Sequence, residues 1–218
     1  MAWLPSDPVG LPGLVALTIG FALFGYALAM ARLRSPKPDA GGRRANASII
    51  WIIVQGLGIG STGLGAIRIG LAPLSPQSIA AAIVVLALMA SAAALFRWSA
   101  QTMGKNWSLV ARTREDATLI TDGPFAYVRN PIYVALALFM VAMAIAYGHI
   151  ATLIVALPIY ALGTWFRVQH EERLLAAEFG DAYAAYAARV KRFVPAFSKL
   201  AATSTKIWAR HRTPANLP

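Results

Sequence analysis

The 218 residues are 58% hydrophobic and only 13% charged, with a formal net charge of +11. Soluble domains carry about 25% charged residues, so the chain reads as an all-α integral membrane protein built as one bundle rather than several domains. There is no cysteine, which excludes disulfides, thiolate metal sites, a Cys nucleophile and S-palmitoylation. The three histidines, His149, His170 and His211, form no H-x-x-H or H-E-x-x-H pair, and no glycine-rich phosphate loop occurs. No metal site is expected, and a zinc hydrolase is disfavoured. In a soluble protein the positive charge would suggest nucleic acid. Here no nucleic acid is expected, and membrane lipids with anionic headgroups are the partner.

Residues 1–8 place no basic residue ahead of the first apolar run. That argues against a cleaved signal peptide and for a retained span. A bilayer core takes about 20 apolar residues of helix, and five runs are candidates: 9–31, 48–67, 79–96, 132–147 and 150–166. Within the second run Gln55 is the main polar exception, read as a helix–helix hydrogen bond, and the Gly56/Gly60 spacing as close packing. The last two runs are short. Gly148 and His149 between them predict a helical hairpin.

Segment 97–131 is longer than a simple connection, and loops of that length tend to be functional. Asp122-Gly123-Pro124 predicts a turn, and Pro131 predicts the start of the fourth helix. Arg129 and Asn130 then stand at that helix start, where free N–H groups and the dipole suit an anionic group. The other reading of Arg129 is a snorkelling anchor at the membrane edge.

After the fifth run come Glu171 and Glu172. Adjacent carboxylates repel each other unless cations are near; Arg129, Arg167 or a cationic ligand would serve. They also suit a solvated helix start. Leu175, Phe179, Tyr183, Tyr186 and Val190 follow in steps of three and four. They predict an amphipathic helix that lies on the membrane or caps the loop region. Gly180 inside it costs about 1 kcal/mol relative to Ala and marks a bend or a close contact. Residues 1–197 read as one transmembrane domain and 198–218 as a basic, flexible tail.

Lys and Arg divide unevenly. Of the 20, all but Arg68 fall in segments 32–47, 97–131 and from 167 onward. Basic loops stay in the cytoplasm. The expected arrangement has the N-terminus outside, five spans, and the C-terminal helix inside, in a cell membrane of the bacterial inner-membrane type.

Two motifs now carry a resemblance. The first is Gly123, Pro124, Phe125, Tyr127, Arg129, Asn130, Pro131 and Tyr133. The second is Glu171, Glu172, Leu175, Phe179, Gly180, Tyr183 and Tyr186, followed by Arg192 and Pro195. Together they resemble the isoprenylcysteine carboxyl methyltransferase family and its bacterial relatives, which include phospholipid N-methyltransferases. Gly104-Lys105-Asn106-Trp107-Ser108 is also similar to an element of bacterial members. The likeness covers residues 95–197. Asn130 stands where the best-known members have His, so a contact made there by an imidazole is not available to this chain.

The resemblance implies methyl transfer from S-adenosyl-L-methionine to a lipophilic acceptor: a prenylated cysteine carboxylate, a lipid amine or another lipophilic small molecule. It implies a donor pocket made by Tyr127, Arg129, Asn130, Pro131, Tyr133, Glu171 and Glu172. Arg129 would pair with a carboxylate of donor or acceptor, and the glutamates would hold the donor's ammonium or ribose. An amine acceptor must lose a proton, and Glu171 is the candidate base. Two other readings compete. One is a nicotinamide-dependent (NADPH) membrane reductase on a related scaffold, which the five spans disfavour. The other is a non-catalytic accessory protein.

Overall fold

The computed structural model describes residues 6–34, 47–104 and 118–195. Residues 105–108 of the Gly104–Ser108 element and the tail from 198 lie outside the described residues. Among the described residues five α-helices make the fold: α1 Leu11–Arg34, α2 Ala47–Ser61, α3 Pro76–Met103, α4 Pro131–Ala146 and α5 Leu153–Arg189. Three of them, α1, α3 and α5, are long and apolar enough to cross a membrane; α2 and α4 are shorter apolar helices. At 1.5 Å per residue, the 15 residues of α2 and 16 of α4 rise about 22 and 24 Å, short of the roughly 30 Å hydrocarbon core. The all-α membrane architecture holds.

The second helix differs from expectation. It stops at Ser61 although the apolar run continues to residue 67. Thr62 turns back to the Ile59 carbonyl at 2.7 Å, and the following glycines do not favour helix. The chain then forms β2, Arg68–Ile69, which pairs in parallel with β1, Pro8–Val9. Apolar periodicity gives no sign of so short a pairing. α3 starts as its sequence directs: Pro76 occupies the first turn, and the Ser75 hydroxyl accepts from the Ser78 amide at 3.3 Å.

α3 lies between α1 and α4. Phe24 of α1 meets Phe96 and Phe139 at ring-centroid distances of 5.0 and 4.9 Å. Buried alanines surround them, including Ala27, Ala92, Ala93 and Ala135. Leu17, Val85, Met89 and Ala142 form a second cluster in the same layer. A Cβ at Gly20 would stand 2.5 Å from the Cβ of Met89, so α1 and α3 touch almost backbone to side-chain root. Close contact of this kind is what drives helix association where lipid already solvates apolar groups.

α2 runs antiparallel along α5. A Cβ at Gly58 would be 2.7 Å from the Tyr160 amide, and one at Gly163 would be 2.8 Å from the Gln55 amide. Trp51 stacks on Phe166 at 4.4 Å. The pair joins α4 through Met140, Ala156, Tyr160 and Ile59.

The fifth run and the first turns of the amphipathic segment are one continuous helix as far as Gly180, where a kink separates them from a second helical stretch that reaches Arg189. Glu171 and Glu172 therefore lie inside α5, and no helix start exists there for the dipole to favour. The apolar part of α5 ends near Phe166, and the rest is its polar continuation. This continuation breaks at Gly180, whose φ of 48° and ψ of −123° leave the helical region. Nothing lies within 4 Å of a Cβ built there. The backbone angle, not crowding, is what calls for glycine. Tyr183, Tyr186 and Val190 still cluster with Leu175, Phe179 and Leu119, but across a bend rather than along one straight face.

Candidate active site

The turn that opens the first motif is a 3-10 segment, Gly123–Ala126. Gly123 has φ of +56°, and a Cβ there would press to 2.6 Å from the Thr102 hydroxyl. Angle and space both require glycine. The chain then runs beside the C-terminal strand-like segment. The Arg129 amide donates to the Lys191 carbonyl at 2.8 Å and the Asn130 amide to the Arg192 carbonyl at 3.1 Å. α4 begins at Pro131, as the sequence predicts, with Asn130 as its cap. The Asn130 side chain makes no capping bond; its Nδ2 reaches the Arg192 carbonyl at 3.4 Å.

Arg129 is not an open cation at the helix start. Its Nε and Nη2 each lie 3.0 Å from Glu172 Oε1. Its Nη1 donates to the carbonyls of Ala187 at 2.8 Å and Val190 at 2.6 Å. Those carbonyls end α5, so Arg129 ties the bent-back segment to the start of α4. The second oxygen of Glu172 takes Arg192, with Nε at 3.0 Å and Nη2 at 2.8 Å. The Arg192 guanidinium carbon sits 4.8 Å from the Trp165 ring centroid. One carboxylate thus bridges two arginines.

Glu171 is held differently. The Tyr133 hydroxyl donates to its two oxygens at 2.7 and 2.8 Å. Arg167, one helical turn earlier, donates from Nε to Oε1 at 3.1 Å and lies 5.3 Å from the Tyr133 ring centroid. Glu171 is the more open carboxylate, 23% exposed against 12% for Glu172. The repulsion expected of the pair is met by Arg129, Arg167 and Arg192.

The remaining predicted residues have distinct places. Pro131 and Tyr133 are buried, and Tyr127 is exposed at the end of the turn. Tyr183 and Tyr186 lie beyond the apolar part of α5. Tyr186 donates to the Phe125 carbonyl at 2.8 Å. The Tyr183 hydroxyl is buried with no partner at hydrogen-bonding geometry, although Glu172 is close enough to act on it. Burial pushes both phenols up to about 12; at Tyr183 the Glu172 carboxylate adds to the rise and Arg129 opposes it.

Sequence reasoning named Arg129 and Arg167 as counter-ions but missed Arg192, whose only signal was its place after the second motif. It also gave no site role to Trp165 or Tyr160. The Tyr160 hydroxyl donates to the Tyr133 carbonyl at 2.5 Å. No group of His, Cys, Asp and Glu able to hold a metal occurs among the described residues.

Against known proteins, residues 80–182 match the phospholipid methyltransferase family model. Over 114 residues the chain is 32% identical to the cobalt-zinc-cadmium resistance protein CzcN of Cupriavidus metallidurans, covering 52% of this chain and 51% of that protein. Over 88 residues it is 31% identical to the protein-S-isoprenylcysteine O-methyltransferase of Schizosaccharomyces pombe, covering 40% of this chain and 37% of that one. The chain thus spans about half or less of the length of these relatives. The family match takes in the whole first motif and the Glu171–Gly180 part of the second. The family resemblance drawn from those motifs is borne out.

Proposed function

We propose that this protein is an S-adenosylmethionine-dependent methyltransferase acting on a lipophilic acceptor drawn from the membrane. The observation that carries the reading is the joining of the two motifs. Residues 38 to 43 positions apart meet as Tyr133–Glu171 and Arg129–Glu172, where the apolar part of α5 gives way to its polar continuation. Ionisable groups at such depth are costly and usually functional. All but one of the 20 basic residues fall in segments 32–47, 97–131 and from 167 onward, which supports a site turned to the cytoplasm of a bacterial inner membrane.

The residues fit the methyl donor. A carboxylate is the natural acceptor for its ammonium group and its ribose hydroxyls, and Glu171 is the more open of the two. The Tyr183 hydroxyl stands beside Glu172. Tyr127 and Trp165 present exposed rings. When bound, S-adenosylmethionine supplies an electrophilic methyl group on a sulfonium.

The chain's own work is positioning and exclusion of water. Arg129 and Arg192 fix Glu172; Arg167 and Tyr133 fix Glu171. Asn130 and Pro131 set the start of α4, and with it Tyr133. Orientation of reactants alone is worth several kcal/mol. A carboxylate acceptor needs no base. An amine acceptor has to give up a proton, and Glu171 is the group placed to take it.

The test is calorimetric titration of S-adenosylhomocysteine into the detergent-purified protein, with Glu172→Gln in parallel. Saturable binding by the wild type, lost in a variant that keeps its helical circular dichroism, is the expected result. A folded wild type that does not bind sinks the reading. Binding of NADPH in its place would move the protein to the reductases.

A further inference from the structure

We infer that Gln55 of α2 is a positioning residue for Glu171 and acts through Arg167, an inference that rests on the methyl-donor reading above. α2 lies outside residues 80–182 that match the family, yet it delivers one polar side chain to the site. Gln55 is 3% exposed and Arg167 8%. The Gln55 Nε2 donates to Thr164 Oγ1 at 2.7 Å. On its other side, Gln55 Oε1 accepts from Arg167 Nη1 at 3.4 Å. Guanidinium only donates, so the amide oxygen must be the atom that faces it. Thr164 then fixes the plane of the amide. Gly58 and Gly163 hold α2 and α5 at the spacing that permits both bonds.

A Gln–Thr bond alone between apolar helices is packing and contributes little. Arg167 is what changes its meaning. Arg167 reaches Glu171 through Nε, at Oε1, while Nη1, on the other edge of the guanidinium, is turned toward α2. Gln55 thus helps to hold the guanidinium plane with Nε aimed at Glu171, beside the Tyr133 hydroxyl on the same carboxylate. Without the Gln55 oxygen that anchor is lost, Nε loses its aim, and Glu171 is set less well to meet the donor.

The probe is S-adenosylhomocysteine, titrated into wild type, Gln55→Leu, Thr164→Val, Arg167→Lys and the Gln55→Leu/Arg167→Lys pair. Gln55→Leu is expected to weaken binding about tenfold, a coupling in the range seen for contacting residues. Thr164→Val frees the amide to rotate but keeps its oxygen, and is expected to weaken binding about threefold, in the same sense. Lysine holds a charge near Glu171 but cannot span to α2, so Gln55→Leu should add nothing in that background. A loss that persists at full size beside Arg167→Lys would show a packing role and overturn the inference. So would wild-type affinity in Gln55→Leu or, if that variant does not fold, in Thr164→Val. Failure of the wild type itself to bind removes the donor reading, and this inference with it; every other negative result leaves that reading standing.

Discussion

The α1–α3–α4 layer buries Phe24, Phe96, Leu17, Met89 and a series of alanines; the α2–α5 pair buries Gln55, Thr164 and Arg167. Inside the first layer, the buried Ser99 hydroxyl closes on its own helix, on the Leu95 carbonyl at 2.7 Å. In the second, Gln55 bonds across to Thr164 and Arg167 of the neighbouring helix. One half of the bundle is fitted by shape and can be rebuilt with other apolar side chains. The other half is fitted by hydrogen bonds, and each removed partner strands another group in a medium that cannot solvate it. The candidate site joins the two halves, with Arg129 and Tyr133 at the start of α4 meeting Glu172 and Glu171 of α5.

The largest expected effect comes from Arg129→Ala. Its four donated contacts reach Glu172 and the two carbonyls that end α5. Breaking one partner of a buried ion pair costs about 3–5 kcal/mol. Thermal denaturation in detergent should show a large fall in stability, and S-adenosylhomocysteine binding should disappear. A variant with wild-type melting and binding would mean that the site end is not held by this ion pair. Met89→Ala is the matching change in the other layer, at a fully buried side chain. Large-to-small core changes of this kind cost about 2–4 kcal/mol. Affinity per folded molecule should stay within about twofold of wild type, because the site shares no partner with Met89. A tenfold change in affinity would erase the distinction between the two halves.

That distinction also decides what could be read from sequence. The shape-fitted half is written in runs of apolar residues, so the position of α1, α3 and α4 follows from composition and from Pro131. The turn at Asp122-Gly123-Pro124 and the special place of Gly180 follow from local backbone chemistry. The hydrogen-bonded half was legible only in its single parts. Glu171 and Glu172 needed cations, and Arg129 and Arg167 were at hand. Which arginine meets which oxygen depends on the Gly180 bend, which carries Arg192 back over Trp165 to Glu172. No periodic pattern encodes a bend of that kind. Gln55 was legible as a helix–helix bond and its contact with Thr164 is that bond. Its second contact, to Arg167, needed the register of α2 on α5. The early end of α2 was lost because glycines 56 to 65 look apolar while favouring helix poorly.

The smallest expected effect is a dependence on alkaline pH confined to the bent-back segment. Tyr183 and Tyr186 titrate near 12 in the folded protein, raised chiefly by burial, against about 10 in an unfolded chain. The folded state favours the neutral phenols. Their contribution to stability is whole below pH about 10 and drains away as pH climbs through about 12. Ionisation at Tyr186 would also break the donated bond to the Phe125 carbonyl, and at Tyr183 it would set a phenolate against Glu172. Amide exchange of residues 181–190 should therefore quicken over that interval before the α1–α3–α4 layer responds. Tyr186→Phe should cost about 1 kcal/mol for its lost hydrogen bond to the Phe125 carbonyl. Loosening of both halves at one pH would show that the segment is not a separate element of the site. Tyrosinate absorbance of Tyr183→Phe and Tyr186→Phe, taken as differences from wild type, gives the independent check, and ionisation of either residue near 10 would contradict its burial.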